Sequence, residues 1–225
     1  MADSTTRPWL VWDWNGTLLD DLDAAVAALN RMLVARDCAP TTRAYYRAHF
    51  GFPVRPFYAE LGVDLAKWDW DQICIDFHRF FQEAGTQKIR AGAQAALTYG
   101  RAAGFRQGIL SAHREDWLRR EVAAAGLDGF FDFVAGTDNL DGASKLDRAR
   151  QVFASDTTST RIFIGDTLHD AEVAVALGGR CILVSCGHQT RERLCVSGCP
   201  VVDGLVAAAE HARTLIGNFD TRRST

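Results

Sequence analysis

The sequence lacks three features that would assign a protein to a membrane, to nucleic acid or to an oxidising compartment. It has no apolar run long enough to span a bilayer, and its first eight residues lack the apolar segment of a signal peptide, so we expect a cytoplasmic protein without a membrane partner. It has no long basic stretch and a net charge of −3, which argues against a nucleic-acid partner. Its six cysteines include no Cys-x-x-Cys pair, so we expect reduced thiols rather than disulfide bonds or a zinc site.

The sequence does contain a regular alternation of short apolar runs and helical patterns. Its 225 residues, 48% of them hydrophobic, can bury one core with a small appended domain. The alternation predicts an α/β fold built on a doubly wound parallel sheet. The predicted strands are residues 9–12, 105–110, 133–135, 162–164 and 181–184. The predicted helices are residues 89–103, 116–125, 145–154, 169–177 and 205–216.

Residues 19–88 interrupt this alternation, because they contain helical periodicity and no convincing strand. One apolar stripe begins at Leu22, and a second, aromatic-rich stripe begins at Trp68. The insertion starts a few residues after the first predicted strand, so we expect it to stand over the end of that strand as a small all-helical cap. The predicted domains are a catalytic core of residues 1–18 and 89–225 and a helical cap of residues 19–88.

Polar residues suited to phosphoryl transfer stand at the ends of the predicted strands. Asp13, Ser111 and Asp166 mark three of these ends, and the carboxyl ends of parallel strands meet at the ligand-binding edge of such a sheet. Lys145 opens a predicted helix, and Asp170 follows Asp166 by four residues. Each residue alone is typical of a turn, a cap or a solvated surface. Together they offer a nucleophilic carboxylate, a hydroxyl, an ammonium group and an acidic pair for a hard cation.

With this combination the sequence resembles the haloacid dehalogenase superfamily, in particular its phosphoglycolate phosphatase-like branch. Residues 13–17, Asp-Trp-Asn-Gly-Thr, match the family's first motif, Asp-x-Asp-Gly-Thr after an apolar strand. Ser111 matches the strand-end Ser or Thr, Lys145 the motif lysine, and residues 165–170 the final Gly-Asp-x-x-x-Asp. The resemblance covers nearly the whole chain, including His-Phe-Gly-Phe-Pro at residues 49–53. It implies a magnesium-dependent phosphoric monoester hydrolase.

The resemblance also implies a role for each matched residue. Asp13 would be the nucleophile, and Asp13, Asn15 and Lys145 would form the catalytic set. The implied Mg²⁺ ligands are Asp13, Asn15 through its backbone carbonyl, Asp166, and Asp170 directly or through water. The implied phosphate-binding residues are Thr17, which would brace the first loop, Ser111, the amide of Ala112, and Lys145.

Asn15 is the position at which the sequence departs from the family pattern, because most of these phosphatases have Asp there as general acid and base. An amide cannot exchange protons in this way, so both chemical steps should weaken by about 100-fold to 10,000-fold if no other group substitutes. Asn15→Asp should then raise the hydrolysis of alkyl phosphates. Among the histidines expected near the strand ends, His113, His169 and His188, we favour His113 as the substitute.

Two alternatives to a working phosphatase stay open from the sequence. One is a related reaction such as hydrolysis of a carbon–phosphorus bond, which would need a cap lysine, and the available ones are Lys67 and Lys88. The other is a weak or inactive protein that binds a phosphorylated metabolite without turnover.

The cap provides the candidates for substrate recognition. We expect Arg55, just after the Gly-Phe-Pro turn, to contact the substrate together with His113. A cap of about seventy residues should close over small phosphorylated metabolites, such as sugar, glycolate or nucleoside monophosphates, and exclude phosphoproteins. We expect a monomer or a homodimer.

Overall fold

The computed structural model of the protein describes residues 7–138 and 145–220. Within these residues the chain forms eight strands and ten α-helices. The strands are β1 (Trp9–Trp12), β2 (Leu19–Asp20), β3 (Lys88–Ile89), β4 (Arg106–Arg114), β5 (Phe133–Thr137), β6 (Arg161–Gly165), β7 (Arg180–Val184) and β8 (Val201–Val202). The α-helices are α1 (Leu22–Val34), α2 (Arg43–His49), α3 (Val54–Glu60), α4 (Trp70–Ala84), α5 (Ala93–Ala102), α6 (Glu115–Ala124), α7 (Lys145–Val152), α8 (Leu168–Ala176), α9 (Arg191–Cys195) and α10 (Leu205–Asp220).

Six strands form one sheet in the order β5-β4-β1-β6-β7-β8, and every neighbouring pair is parallel. The chain runs outward from β1 through β4 to β5, and then returns to the other side of β1 to continue through β6, β7 and β8. The strand order therefore reverses between β1 and β6, where open α/β sheets bind their ligands. The predicted α/β fold with a doubly wound parallel sheet is confirmed.

Helices cover both faces of this sheet, and the central strand β1 supplies side chains to both layers. Leu10 and Trp12 point into a buried cluster with α5, α6 and α10, whereas Trp9 and Val11 point into a second cluster with α7, α8 and α9. Alternate residues of a strand face opposite sides of a sheet, so a strand buried on both faces is apolar throughout. This is why the sequence of β1 is a continuous apolar run.

Strand β4 is longer than predicted, because it continues past Leu110 to Arg114. Its pairing with β5 shifts register between Leu110 and Arg114. Ser111 lies at the start of this irregular stretch, where the backbone leaves the regular ladder. The polar residue therefore stands at the end of the regular pairing, as the sequence predicted for the end of the strand.

The inserted segment packs around a hydrophobic cluster of its own. Side chains of α1 to α4, such as Leu29, Phe57 and Ile73, form this cluster without a buried residue from the main sheet. The segment is not purely helical, because β2 and β3 pair antiparallel where the chain leaves and re-enters the core. The helix predicted from residue 89 begins at Ala93 instead, since Ile89 belongs to β3. The division into core and cap stays a prediction.

None of the helices in the described ranges combines the length and the apolar character that a bilayer span requires. The cytoplasmic location stays a prediction, as do the oligomeric state and the absence of a nucleic-acid partner.

Candidate active site

The carboxylate of Asp13 lies at the centre of the site, directly after β1. The backbone N–H of Asp13 donates to the carbonyl oxygen of Ile164 on β6, which fixes the residue at the point where the strand order reverses. Lys145, the first residue of α7, is buried, and its Nζ lies 2.6 Å from Oδ1 of Asp13 and 2.6 Å from Oδ1 of Asp170. Three of the predicted residues are thus in direct contact although they are far apart in the sequence.

Asp166 completes an acidic cluster with Asp13 and Asp170, in which one carboxylate oxygen from each lies within 4.8 Å of the others. Asp166 is held by Thr17, whose Oγ1 donates to its Oδ1 over 2.9 Å, and by the backbone N–H of His188, which donates to its Oδ2 over 2.6 Å. The hydroxyl of Thr17 therefore positions an acidic residue. Its predicted contact with phosphate stays a prediction.

Asp170 is fixed by the start of its own helix. Thr167 caps α8, and both its backbone N–H and its Oγ1 donate to Oδ2 of Asp170, over 3.1 and 2.8 Å. The bond from the Thr167 backbone to Asp170, together with the return bond from the Asp170 backbone to the Thr167 side chain, forms a capping box, which satisfies donors at the helix start and holds the acidic side chain in place. The spacing of Asp166 and Asp170 thus reflects a strand end followed by the first turn of a helix.

Two glycines make room for these carboxylates. A Cβ atom on Gly165 would overlap the carboxyl group of Asp170, and a Cβ atom on Gly187 would overlap that of Asp166. In both cases the overlap is closer than van der Waals contact allows. The acidic cluster therefore depends on the absence of side chains at these two positions.

The cluster carries more negative charge than its one ammonium group neutralises. Burial raises the pKa of Asp13 to about 8; Lys145 opposes this shift, while Asp170 and Asp166 add to it. Burial also raises the pKa of Asp166, although the charge of His188 opposes it. Burial acts in the same direction on Asp170, but Lys145 outweighs it and lowers that pKa. If all three carboxylates were ionised, the one ammonium group would leave two negative charges unbalanced; a divalent cation would balance them, and carboxylate oxygens are the ligands that Mg²⁺ prefers. The residues present fit a divalent magnesium ion.

Ser111 and Ala112, on β4, line the same cavity as Asp13 and Lys145. The Oγ of Ser111 accepts a hydrogen bond from the backbone N–H of His113 over 3.1 Å, which stabilises the turn after the regular part of β4. The structure thus brings the predicted phosphate-binding residues Ser111, Ala112 and Lys145 together around Asp13.

Asp21 is a site residue that the sequence did not reveal. Its carboxylate is buried and accepts hydrogen bonds from Nδ2 of Asn15 (2.8 Å) and from the backbone N–H of Gly16 (2.7 Å). His188 Nε2 lies 3.1 Å from Oδ1 of Asp21, and His188 Nδ1 lies 3.0 Å from the Tyr46 hydroxyl. As the second residue of an Asp-Asp pair directly before α1, Asp21 has the sequence context of an ordinary helix cap. Its position between Asn15 of the first loop and His188 of the loop after β7 could not be read from that context.

Asp21 and His188 form a buried ion pair. Burial favours the neutral form of both groups, but the charge of His188 and hydrogen bonds from His188 and Asn15 lower the pKa of Asp21. Burial lowers the pKa of His188, and the charge and hydrogen bond of Asp21 outweigh this and raise it to about 9. The imidazole is therefore largely protonated at neutral pH and carries a positive charge beside the acidic cluster.

Comparison with known proteins agrees with this geometry. The family described as haloacid dehalogenase-like hydrolase matches residues 10–184. The chain belongs to this family. It is similar to phosphoglycolate phosphatases of Pseudomonas putida (25% identity, 81% of this chain and 71% of that protein) and Cereibacter sphaeroides (27% identity, 81% and 87%). Its fold is similar to that of a predicted phosphatase from Clostridium acetobutylicum (TM-score 0.73, 19% identity, 92% and 98% coverage).

The predicted family and the prediction of a hydrolase are confirmed by this membership. In this haloacid dehalogenase-like hydrolase the first motif reads Asp-Trp-Asn-Gly-Thr, and the amide of Asn15 is engaged with Asp21. The roles of the single site residues stay predictions, as does the carbonyl of Asn15 as a magnesium ligand.

The three candidate histidines of this hydrolase have different surroundings. His113 lines the cavity, and its Nε2 lies 3.1 Å from Oε1 of Glu121. His188 lines the cavity as well, whereas His169 packs against Phe52 with 5.1 Å between ring centroids. Of the three candidates, His113 and His188 therefore line the cavity, as does His78, which the sequence did not single out, and the preference for His113 as the acid stays a prediction.

Arg55 lies on the outer side of the cavity wall. It is exposed, and its guanidinium stacks over Trp70 at 4.7 Å from the ring centroid. Trp70 itself lines the cavity, so Arg55 supports a residue of the wall. Its contact with a substrate stays a prediction.

Proposed function

We propose that this protein is a magnesium-dependent phosphomonoester hydrolase in which the carboxylate of Asp13 attacks the phosphorus of a small phosphorylated metabolite. The observation that carries the proposal is the convergence of Asp13, Lys145 and an acidic pair at one point of the sheet, with Lys145 2.6 Å from Asp13. The similarity to phosphoglycolate phosphatases supports a phosphate ester as the substrate class.

Asp13, Asp166 and Asp170 would hold the metal in this proposal. When bound, Mg²⁺ supplies positive charge against the phosphate oxygens and so allows a carboxylate to approach phosphorus. Because burial holds the pKa of Asp13 near 8, positive charge beside it also favours the ionised form that acts as nucleophile.

The chain's own residues then divide the reaction into two displacements. The Asp13 carboxylate forms a bond to phosphorus as the bond to the leaving oxygen breaks, which gives an aspartyl-phosphate and an alkoxide or phenolate that takes a proton from water. Water then cleaves the aspartyl-phosphate and releases inorganic phosphate, which regenerates Asp13. Lys145, the hydroxyl of Ser111 and the amide of Ala112 hold the phosphate oxygens through both displacements.

The amide of Asn15 should slow both displacements, because it cannot give a proton to the leaving group or take one from water. Its Nδ2 is committed to Asp21, so the side chain is fixed and chemically neutral. We infer that turnover is limited by proton transfer unless the leaving group departs without a proton.

Neither alternative function is favoured by a specific contact. Hydrolysis of a carbon–phosphorus bond would need a lysine at the substrate, but Lys67 stacks on Trp68 and Lys88 is exposed on β3. Lys145 is the lysine that lines the cavity among the described residues. Binding without turnover would leave the same acidic cluster in place, so only an assay separates it from catalysis.

The test is the release of inorganic phosphate from an aryl phosphate, with and without magnesium. We expect turnover that requires magnesium and that falls at least about 1,000-fold in Asp13→Asn, because the nucleophile is lost. Mass spectrometry of the acid-quenched wild-type enzyme should find phosphate on the peptide that contains Asp13. Asp147→Asn, a change of an exposed aspartate in the first turn of α7, serves as the matched control and should keep full activity. Tight phosphate binding without turnover of any ester would contradict the proposal.

A further inference from the structure

The cavity above Asp13 has two chemically different halves. Its floor carries the polar groups of the proposed phosphate site, including Asp13, Ser111 and Lys145. Its wall comes from the inserted helices and consists mainly of aromatic and aliphatic side chains, among them Phe57 and Phe77. The cavity volume is about 150 Å³, and an apolar cavity of this volume can hold a molecule as large as benzene.

The wall offers no strong cation to a second anionic group of a substrate. Among the described lining residues the cations are Lys145 on the floor and His188, whose charge is already paired with the buried Asp21. Two arginines of the inserted segment bind other protein groups instead. Arg47 donates to three carbonyl oxygens, those of Ser185, Gly187 and Gln189. Arg36 forms an ion pair with Asp76 at 2.8 Å. A substrate with a carboxylate beyond its phosphate would therefore lose hydration without gaining a strong partner.

The polar side chains next to Asp13 already have hydrogen-bond partners in the protein, and His113, which also lines the cavity, has its Nε2 3.1 Å from Oε1 of Glu121. The Asn15 amide cannot donate a proton in catalysis, and both ring nitrogens of His188 are hydrogen-bonded within the protein, to Asp21 and Tyr46. A phenol has a pKa of about 10, like the side chain of tyrosine, whereas an alkyl alcohol is a far weaker acid, close to water. A phenolate can therefore leave without the proton that an alkoxide needs.

We propose that the substrate is a small aryl phosphate, whose ring lies against the aromatic wall while its phosphate lies over Asp13. This inference rests on the proposed phosphatase function and specifies which class of phosphate ester is hydrolysed. The wall binds an uncharged ring, and the phenolate leaves unprotonated and takes its proton from water afterwards.

The first experiment compares phenyl phosphate with benzyl phosphate, which has the same ring but an alkyl leaving group. Both should bind, with KM values within about threefold of each other, whereas kcat should be about 100-fold or more higher for phenyl phosphate, the size expected for a missing general acid. Phosphoglycolate should have the lowest kcat/KM of the three. Equal kcat for phenyl and benzyl phosphate, or a preference for phosphoglycolate, would overturn the proposal.

The second experiment tests the wall with two matched variants of α4. Phe77 lines the cavity, whereas Phe80, three residues on, is not among the lining residues and has the guanidinium groups of Arg31 and Arg79 over its ring. Phe77→Leu should raise KM for phenyl phosphate about fivefold to tenfold and leave kcat within a factor of two. Phe80→Leu should change neither value. An unchanged KM in a folded Phe77→Leu protein would exclude the ring from this wall.

The two proposals fail in different ways. If phosphoglycolate or another alkyl phosphate is hydrolysed best, in a reaction that requires Asp13 and magnesium, the phosphatase function stands and the aryl substrate is wrong. If no phosphate ester is hydrolysed in an Asp13-dependent way, the phosphatase function itself is wrong.

Discussion

The side-chain amide of Asn15 donates a hydrogen bond to Oδ2 of Asp21 over 2.8 Å, and both groups line the cavity that contains Asp13. Asn15 thus takes the place of the acid that the family pattern leads one to expect, with a buried carboxylate beside it. An aspartate at position 15 would put two carboxylates in contact, and like charges at that distance disfavour ionisation of both. The consequence of Asn15→Asp therefore depends on Asp21.

We predict that Asn15→Asp combined with Asp21→Asn increases kcat for an alkyl phosphate by about 10-fold to 100-fold. The double variant reverses the hydrogen bond, because the new amide at position 21 would donate to the new carboxylate at position 15. The oxygen of that amide could still accept from Gly16 and His188.

Asn15→Asp alone should have a melting temperature several degrees below that of the double variant, because it buries two repelling carboxylates. Phosphate release and thermal unfolding measure the two effects. If Asn15→Asp alone were as stable and as active as the double variant, the contact with Asp21 would not matter.

Gly165→Ala should weaken magnesium binding about 10-fold to 100-fold, the range observed when groups that orient metal ligands are changed. The new methyl group would displace the carboxyl group of Asp170. The concentration of magnesium that gives half-maximal activity is the measurement. Gly129→Ala is the matched control, because a Cβ atom there meets open space. An unchanged magnesium requirement in Gly165→Ala would place the metal away from Asp170.

The Asp21–His188 pair predicts how stability changes with pH in metal-free protein. Because the pKa of His188 is raised from 6.5 to about 9, its stabilisation is complete below pH 6.5 and is lost as the pH rises through 9. The difference in unfolding free energy between wild type and His188→Gln should therefore shrink by on the order of 2–3 kcal/mol from pH 6.5 to 9.5. Urea unfolding with a chelator present measures this difference. A difference that stays constant from pH 6.5 to 9.5 would contradict the ion pair.

Arg55→Ala should raise KM more than it lowers kcat, because Arg55 stacks on Trp70 and Trp70 forms part of the cavity wall. The expected increase is about twofold to fivefold, in keeping with the loss of one exposed cation–π contact. Steady-state kinetics with phenyl phosphate measure it. If KM were unchanged in the Arg55→Ala variant, Arg55 would not contribute to substrate recognition.

The sequence predicted the sheet and the position of the site because both follow from short local patterns. A fully apolar run such as Trp9–Trp12 can only be a strand buried on both faces, and a polar residue at its end must lie at the edge of the sheet. The capping box at Thr167 and Asp170 is equally local. The short strands β2 and β3 were missed because two-residue strands carry no periodicity, and they form only when Leu19 and Ile89 are brought together by the fold.

By itself, the sequence determined which residues meet at the candidate site, since the order of apolar runs and polar ends specifies the sheet, and the sheet brings Asp13, Ser111 and Asp166 to one edge. The tertiary structure alone decided what surrounds Asn15. Asp21 and His188 are 167 residues apart along the chain, and their hydrogen bond depends on the inserted helices and the loop after β7 meeting over the site. No local pattern encodes such a contact, because two residues so far apart in the sequence can stabilise each other's charge only after the chain has folded.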